Sequence, residues 1–277
     1  MVVTDAPDRQ PHPALDPLPT GPHLRVPMPL TEPKRFLVVG GQIGELAERI
    51  QAARPDLDLR LRALSVVSAA DLDWAEVFVG FRKPAVEGWG AVRWLHSIGA
   101  GVDGLVLRDP PPTGVLVTKS GEDFGPAIGE WCLARALAAN QFLGALVADQ
   151  QAKVWNRDRE PVLLRDQRAV ILGTGQVGGG IARAFRGLGC HVIGLSRSGA
   201  PVAHFDEVAQ ADDFGAVIGG AHWLILAAPH TRETAGFLNR ARLDRCEGVY
   251  LMNVGRGALV DEAEILRMVG RSDQRRL

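Results

Sequence analysis

The stretch Ala169–Gly180, which reads AVILGTGQVGGG, decides the fold of this chain of 277 residues. Its opening apolar run, AVIL, predicts a buried strand, and the apolar residues between Val177 and Leu188 recur at helical spacing. The segment GTGQVG between them matches the glycine pattern of a dinucleotide-binding turn. Strand, glycine turn and amphipathic helix in this order predict a unit of the Rossmann type.

The residues of the glycine turn each have a physical role in such a unit. Gly173 permits the tight turn, Gly175 lets the backbone approach a pyrophosphate, and Gly178 lets the helix pack against the strand. Gln176 and Val177 open the helix, where free N–H groups and the positive end of the helix dipole favour phosphate. A turn without a ligand is the alternative, because glycine is common in this chain, at 32 residues.

The residues after the next predicted strand indicate which dinucleotide binds. An NAD site usually has an acidic residue about 20 positions after the glycines, where it accepts a hydrogen bond from the ribose 2′-OH. Here Ser196, Arg197 and Ser198 occupy that place. A guanidinium between two hydroxyls suits a 2′-phosphate, which a carboxylate would repel, so the pattern favours NADP(H) over NAD(H). An ordinary surface arginine is the alternative interpretation of Arg197.

The bulk composition is that of a globular protein with room for two domains. Hydrophobic residues make up 46% of the chain and charged residues 23%. A net charge of −1 gives no reason to expect a nucleic acid or an anionic membrane as a partner. The most apolar long segment, 131–148, contains Arg135, Asn140 and Gln141, which favours a helix inside a protein over a membrane span.

The cysteines bear on compartment and on metal binding. Cys132, Cys190 and Cys246 are odd in number and widely spaced, which predicts neither a disulfide framework nor a metal site. Free thiols are typical of a reducing compartment. The N-terminal residues lack the basic segment and apolar core of a signal peptide, so we expect a cytoplasmic protein.

Four segments organise the chain. Residues 1–33 hold nine of the 18 prolines and predict a disordered leader. Residues 34–125 predict a first α/β unit, 126–150 one long helix between the units, and 151–277 the unit with the glycine turn. Alternating strands and helices imply parallel sheets covered on both faces. The predicted helix of the first unit is Ile43–Ala53, and the predicted strands of the two units are Phe36–Val39, Leu57–Leu61, Val77–Gly80, Trp94–Ile98, Val115–Thr118, Ala169–Leu172, His191–Leu195, His222–Ala227 and Val249–Asn253.

Four motifs together resemble one known family. They are WLHSIGAGVD at 94–103, the glycine turn with its SRS segment, APHTRET at 228–234 and NVGRGALVD at 253–261. In this order and spacing they resemble the D-isomer-specific 2-hydroxyacid dehydrogenases, and they are most similar to the NADPH-dependent glyoxylate/hydroxypyruvate reductase branch. The resemblance covers residues 34–266. It implies an NAD(P)H-dependent oxidoreductase that reduces a small 2-keto acid to the 2-hydroxy acid.

The resemblance also implies where substrate and cofactor bind. The first unit would be the substrate domain, the second the cofactor domain, and the cleft between them the active site. Arg256 matches the family arginine that holds the substrate carboxylate and polarises the keto oxygen, for which a planar fork of donors is suited; a solvated charge is its alternative. The other implied residues are Phe81, Arg82 and Gly101 for substrate, and Ala228, Pro229, Thr234, Val254 and Gly255 for cofactor.

Two further implications concern neighbouring positions and assembly. Asp123 and Glu130 match polar family positions beside the long helix, and a structural capping role is equally open for both. The family usually dimerises through its cofactor domains, so we expect a homodimer.

The sequence departs from the family pattern after Leu266. The family protonates the new alkoxide with a histidine held by a glutamate, and both lie beyond the segment that ends at Leu277. The last residues resemble a truncated or frame-shifted end, so we expect poor turnover and a second unit without its last strands. The alternative function is a remnant that binds NADPH without catalysis. His230 is the histidine best placed to substitute, because it follows a strand at the cofactor edge.

Overall fold

The computed structural model describes residues 32–40, 44–99, 101–107, 109–121 and 123–271. They form two parallel sheets of five strands each, with helices packed against them. The strands are β1 (Arg35–Val39), β2 (Asp58–Arg62), β3 (Val77–Gly80), β4 (Trp94–Ser97), β5 (Leu116–Lys119), β6 (Arg168–Leu172), β7 (His191–Ser196), β8 (Glu207–Gln210), β9 (Trp223–Leu226) and β10 (Tyr250–Asn253). The helices are α1 (Gly44–Ala53), α2 (Ala69–Trp74), α3 (Asp103–Val106), α4 (Gly125–Asn140), α5 (Leu143–Ala152), α6 (Gln176–Arg186), α7 (Phe214–Val217), α8 (Arg240–Leu243) and α9 (Glu262–Arg271).

The first sheet has the strand order β2-β1-β3-β4-β5, which places a switch point between β1 and β3. All of its strand pairs are parallel. In such a sheet the loops after the two central strands diverge and leave a crevice at the carboxyl edge. Both faces are covered, because Phe78 packs in one apolar cluster and Val79, the next residue of β3, packs in another.

The second sheet has the order β10-β9-β6-β7-β8, which is that of a dinucleotide-binding Rossmann sheet. Its switch point lies between β6 and β9, so the loops that follow Leu172 and Leu226 open the crevice. Apolar clusters around Leu224 on one face and Trp223 on the other bury these strands. The predicted fold class, two parallel α/β units of which the second is Rossmann-like, is confirmed.

The predicted strand bounds agree with the structure to within one residue at each end. Continuous apolar runs such as Val77–Gly80 are unambiguous, because burial on both faces of a parallel sheet demands them. Helix α1 begins at Gly44, and Ile43 of its prediction lies outside the described residues. Strand β8 and helix α2 were not predicted, since β8 reads EVAQ and α2 spans only six residues.

The prediction of one long helix over 126–150 is wrong. The structure ends α4 at Asn140 and begins α5 at Leu143, with Phe142 in the left-handed region at φ 53°. The Asn140 carbonyl accepts a hydrogen bond from the Val162 N–H at 3.2 Å, and its side-chain amide donates to the buried Gln167 at 2.9 Å. These long-range bonds compete with helix continuation. The two helices are bent by 54° at the break between them.

Helix α4 packs directly on α6, the helix that follows the glycine turn. A Cβ on Gly129 would lie 2.7 Å from the Gly180 carbonyl oxygen, and a Cβ on Gly180 would lie 2.3 Å from the Gly125 carbonyl carbon. The two backbones therefore touch where they cross. Cys132 and Ala136 of α4 are fully buried in the same cluster as Phe185 of α6.

Two predictions concern segments beyond these sheets. The disordered leader was predicted for residues 1–33, and residues 1–31 lie outside the described part of the chain. Within that described part, no single helix is long and apolar enough to cross a membrane. Helices α4 and α5 meet the criterion only as a bent pair, by length and composition alone.

Candidate functional site

The glycine turn lies at the switch point of the second sheet, and its geometry requires glycine at two positions. Gly173 has φ +100°, and a Cβ there would lie 2.8 Å from the Ala228 nitrogen. Its own N–H donates to the Leu195 carbonyl at 2.8 Å, which ties the turn to β7. A Cβ on Gly178 would lie 1.8 Å from the Gly173 carbonyl oxygen, so α6 packs against the turn without room for a side chain.

Gly175 leaves an open space in front of α6. It precedes the helix as its N-cap, it is exposed, and a Cβ there would have no atom within 4 Å. Gln176 and Val177 form the first turn of this helix of 11 residues, whose leading N–H groups and dipole face that space. The cradle fits a pyrophosphate, because both charge and shape are complementary to it.

The SRS segment forms a tight loop after β7. The Ser196 hydroxyl oxygen accepts a hydrogen bond from the Gly199 N–H at 3.0 Å, and that of Ser198 accepts from the Ala200 N–H at 3.3 Å. Both hydroxyls keep a proton to donate. The side chain of Arg197 is exposed between them. The loop therefore presents a guanidinium and two hydroxyls, all of which can donate hydrogen bonds.

The loop after β9 lies on the same edge as the SRS segment. The Thr234 hydroxyl donates to the Pro229 carbonyl at 2.6 Å and accepts from the Thr231 N–H at 2.8 Å, which closes the turn. The pKa of the Glu233 carboxyl is lowered, first by a hydrogen bond from Thr231 and further by the charge of Arg197. Arg197 therefore lies within electrostatic reach of this loop.

The loop after β10 aims Arg256 at the first unit. Asn253 bonds both sides of the turn, because its Oδ1 accepts from the Gly255 N–H at 3.1 Å and its Nδ2 donates to the Arg256 carbonyl at 2.9 Å. A Cβ on Gly255 would lie 2.8 Å from the Ala228 carbonyl oxygen, so this loop packs closely on the loop after β9. Val254, between Asn253 and Gly255, is half-buried.

An ion pair joins Arg256 to the first unit, and sequence reasoning missed its partner. Arg256 Nε donates to Asp103 Oδ2 at 2.9 Å and Nη2 donates to Oδ1 at 3.0 Å, across 153 residues of chain. This hydrogen bonding lowers the pKa of Asp103 and raises that of Arg256. Asp103 lies inside the motif WLHSIGAGVD, but no local signal pairs it with a residue so distant in sequence.

The first unit supplies a compact wall beside that pair. A Cβ on Gly101 would lie 2.3 Å from Arg256 Nη2, so the guanidinium rests against glycine backbone. The buried Ser97 hydroxyl donates to the Gly101 carbonyl at 2.5 Å. The Phe81 ring packs where a Cβ on Gly99 would lie, 2.2 Å from its Cε1. Phe81, Gly101 and Arg256 thus meet at one cleft.

Arg82 lies on the same wall as Phe81. Its Cγ would be 3.4 Å from a Cβ on Gly104, and the next residue, Lys83, donates its N–H to the Gly104 carbonyl at 2.9 Å. Both Phe81 and Arg82 are exposed. The backbone of this loop is therefore fixed while its side chains remain free to contact a ligand.

The described histidines divide into one near the cleft and others elsewhere. The charge of His230 contributes to lowering the pKa of Asp103, which places this ring within electrostatic reach of the cleft. His96 Nδ1 bonds the Thr118 hydroxyl at 2.8 Å, and burial lowers the pKa of His96. His191 Nε2 bonds the Glu207 carboxylate at 2.9 Å.

Asp123 and Glu130 occupy different environments at the first turns of α4. The Asp123 Oδ1 accepts from the Gly125 N–H at 2.9 Å, which closes an Asx turn just before α4, whose N-cap is Phe124. Glu130 is exposed on the helix.

Burial raises the pKa of Cys132 and of Cys246 to about 11 and that of Cys190 to about 12, so these thiols are protonated at neutral pH. In the part of the chain that the structure describes, no group of three or more His, Cys, Asp or Glu residues could hold a metal ion.

Comparison with protein families and curated sequences gives the following similarities. The family model "D-isomer specific 2-hydroxyacid dehydrogenase, NAD binding domain" matches residues 133–275. Glyoxylate/hydroxypyruvate reductase A of Serratia proteamaculans is 30% identical over 186 residues, which are 64% of this chain and 59% of the relative. D-3-phosphoglycerate dehydrogenase of Mycobacterium leprae is 27% identical over 219 residues, which are 78% of this chain and 39% of the relative. The matched part of the chain thus spans less than two thirds of either relative.

Comparison with solved structures gives a similarity over both sheets. A D-isomer specific 2-hydroxyacid dehydrogenase from Xanthobacter autotrophicus, solved in complex with NADPH and MES, superposes with a TM-score of 0.69 at 25% identity. The match covers 85% of this chain and 77% of that one. The shared fold therefore includes both units.

Proposed function

This chain belongs to the D-isomer specific 2-hydroxyacid dehydrogenase family, and from that premise we propose that it reduces a small 2-keto acid of the glyoxylate or hydroxypyruvate type. We propose further that NADP(H) is preferred over NAD(H). One observation carries the proposal: an open phosphate cradle at Gly175 and the guanidinium of Arg256 lie at the same sheet edge, on two loops that both pack on the loop after β9.

Arg256 is the residue that we assign to the substrate. A 2-keto acid presents a carboxylate beside a carbonyl, and a guanidinium can bond an oxygen of each. The pKa of Arg256 is raised by Asp103, so it stays charged and opposes the negative charge that develops on the keto oxygen. Phe81, Arg82 and the backbone at Gly101 would form the wall of the substrate site beside Arg256.

The second unit would hold the cofactor through backbone N–H groups and small loops. The start of α6 at Gln176 and Val177 suits the pyrophosphate, and Ser196–Ser198 suits a 2′-phosphate. A bound nicotinamide supplies the hydride. The loop residues proposed to contact it or its ribose are Ala228, Pro229, Thr234, Val254 and Gly255.

A proton must also reach the oxygen that receives negative charge. His230 is the described histidine within reach of the cleft, so it is the first to replace when the source of that proton is sought. General acid catalysis contributes roughly 10²–10⁴-fold in rate, so the effect of removing the true donor is easily measured.

Homodimerisation and a cytoplasmic location are also part of the proposal. Helix α5 and the segment after it expose Leu143, Leu146, Val147 and Trp155, the last at 83%. A second copy of the chain would cover this apolar surface, as exposed patches of this kind commonly mark interfaces. All three cysteines are free, which fits a reducing compartment.

The test measures binding and turnover separately. Fluorescence titration with NADPH and NADH measures cofactor preference. Turnover is measured as the loss of the reduced nicotinamide absorbance when NADPH is oxidised. The substrates compared are glyoxylate, hydroxypyruvate, pyruvate and 3-phosphohydroxypyruvate. We expect tighter binding of NADPH than of NADH, and turnover of glyoxylate and hydroxypyruvate. Turnover of 3-phosphohydroxypyruvate alone would replace the substrate assignment. Binding of NADPH without turnover of any of the four substrates would leave only the cofactor part of the proposal.

A further inference from the structure

We propose that Asp103 is a positioning residue for Arg256: its carboxylate clamps one edge of the guanidinium, so that the remaining N–H groups face the substrate. The substrate part of this inference rests on the proposed function. The clamp itself is a property of the ion pair between the two units and can be measured without substrate.

The donors of Arg256 can be counted. A guanidinium has five N–H groups in a fixed plane. The Nε and one Nη2 group donate to Asp103, and an Nη1 group donates to the Gly255 carbonyl at 3.2 Å. One N–H on each Nη atom remains. These two donors suit the pair of oxygens that a 2-keto acid presents on one side, a carboxylate oxygen and the keto oxygen.

The surroundings explain why a clamp is needed. The Arg256 side chain is 45% exposed, so without a partner it would populate several rotamers. Asp103 is 25% exposed and is the first residue of α3. The backbone at Gly101 closes the adjacent side of the guanidinium. Asp103 and Gly101 together restrict Arg256 to one plane.

The clamp has an electrostatic consequence that separates it from a merely structural contact. A carboxylate at position 103 opposes the approach of an anionic substrate, although it orients the group that binds it. Asp103→Asn keeps the shape and removes the charge. We therefore expect kcat to fall about 10- to 100-fold, because the reacting groups are misplaced, while KM is unchanged or lower. A loss of folded protein would also lower the apparent kcat at unchanged KM, so kcat is expressed per folded molecule, with the folded fraction of each variant measured by circular dichroism.

The experiment that does not need turnover uses phenylglyoxal, which modifies arginine side chains. The Asp103 carboxylate raises the pKa of Arg256, and the reagent attacks the uncharged guanidine, so the pair slows modification. Peptide mass spectrometry gives the rate at Arg256 in the wild-type chain and in Asp103→Asn. We expect the rate to rise several-fold in the variant and to return towards the wild-type value in Asp103→Glu.

Asp56 supplies a matched control. Arg54 Nε and Nη2 donate to Asp56 at 2.8 and 2.9 Å, the same two-bond geometry, on an exposed segment of the first unit. Asp56→Asn should speed modification of Arg54 and leave both the rate at Arg256 and the kcat unchanged.

The outcomes separate the clamp from the proposed function. An unchanged modification rate at Arg256 in Asp103→Asn overturns the clamp. A faster rate with unchanged kcat, or with kcat and KM both impaired, overturns the positioning role. If the wild-type chain turns over no 2-keto acid, the proposed function fails, and the modification rates still decide whether Asp103 restrains Arg256.

Discussion

The two sheets of this chain share one architecture and differ in what their carboxyl edges present. Both have five parallel strands with a switch point beside the first strand of the unit. At its switch point the second sheet presents backbone in front of an open space at Gly175, whereas the first presents side chains packed on glycines, as Phe81 packs on Gly99. The outer loop of the second sheet adds one side chain, Arg256, which lies against Gly101 of the first unit. The loops, and not the sheets, therefore determine which ligand each unit can bind.

This difference predicts that the two halves of the site can be damaged separately. Contacts made by backbone N–H groups depend on the conformation of the turn, so only substitutions that alter or fill the turn should affect them. Contacts made by side chains can be removed by truncation. Substitutions in the glycine turn should thus leave the substrate contacts intact, and substitutions of Arg256 or of first-unit side chains should leave the cofactor bound.

Arg256→Ala should have the largest effect. It removes the charge that we assign to the substrate carboxylate and keto oxygen, so turnover should fall by about 10²–10³-fold or more. Arg256→Lys keeps the charge without the planar fork of donors, so it should restore only a small part of the lost turnover. The Kd for NADPH should not change in either variant. A weaker Kd for NADPH would show that the halves are not separable.

Substitutions in the glycine turn should distinguish packing from binding. Gly178→Ala places a Cβ 1.8 Å from the Gly173 carbonyl oxygen, so we expect a loss of about 1–3 kcal/mol in the free energy of unfolding and weaker NADPH binding. Gly175→Ala should weaken binding at unchanged stability, because its Cβ meets only the open space. Denaturant melts and titrations measure the two quantities.

Gly179→Ala is the matched control for that pair. It lies in the same helix, and its Cβ would have nothing within 4 Å. Alanine in place of a helical glycine should raise stability by about 0.5–1 kcal/mol and leave binding unchanged. Weaker NADPH binding in Gly179→Ala would contradict the assignment of the phosphate cradle to the open space at Gly175.

Arg197→Asp should change the cofactor preference without affecting the first unit. Loss of a charge-assisted contact is worth about 1.5–3 kcal/mol, so the affinity for NADPH should fall roughly 10- to 100-fold, while that for NADH rises. Parallel titrations of both cofactors measure the reversal. Equal affinities of the wild-type chain for NADPH and NADH would refute the role given to Arg197.

Asp71→Asn should have a small effect and should act in the first unit alone. Asp71 caps α2 reciprocally with Ser68, and that hydrogen bonding lowers the pKa of Asp71. A lowered folded-state pKa gives stability that is present above the unfolded pKa and lost as the pH falls through the folded one. The variant should be less stable by about 1 kcal/mol at pH 7. Melts at decreasing pH should show this difference shrinking, with NADPH binding unchanged.

The sequence predicted what depends on short-range pattern. Strands such as Val77–Gly80 and the glycine turn at Gly173 are set by burial and by backbone conformation, both of which leave a local signature. Helix α2 had such a signature that was overlooked, the capping pair Ser68 and Asp71 before an apolar residue.

What the sequence could not give depends on distant contacts. The end of α4 at Asn140 follows from its bonds to Gln167 and Val162, and the residues between Trp131 and Ala148 read as helix throughout. The polar strand β8 exists because β7 provides a parallel partner. The pairing of Asp103 with Arg256 spans 153 residues, so the motif containing Asp103 was recognised but its role was not.

The crossing of α4 and α6 has a mechanical consequence. Gly125 and Gly129 of α4 pack directly on the backbone of α6 at Gln176 and Gly180, with no side chain between the two helices there. The α4 end of this contact follows the first sheet in the chain, and the α6 end adjoins the glycine turn. A displacement of the start of α4 by the first sheet should therefore displace α6, and with it the phosphate cradle, because the two backbones are in direct contact.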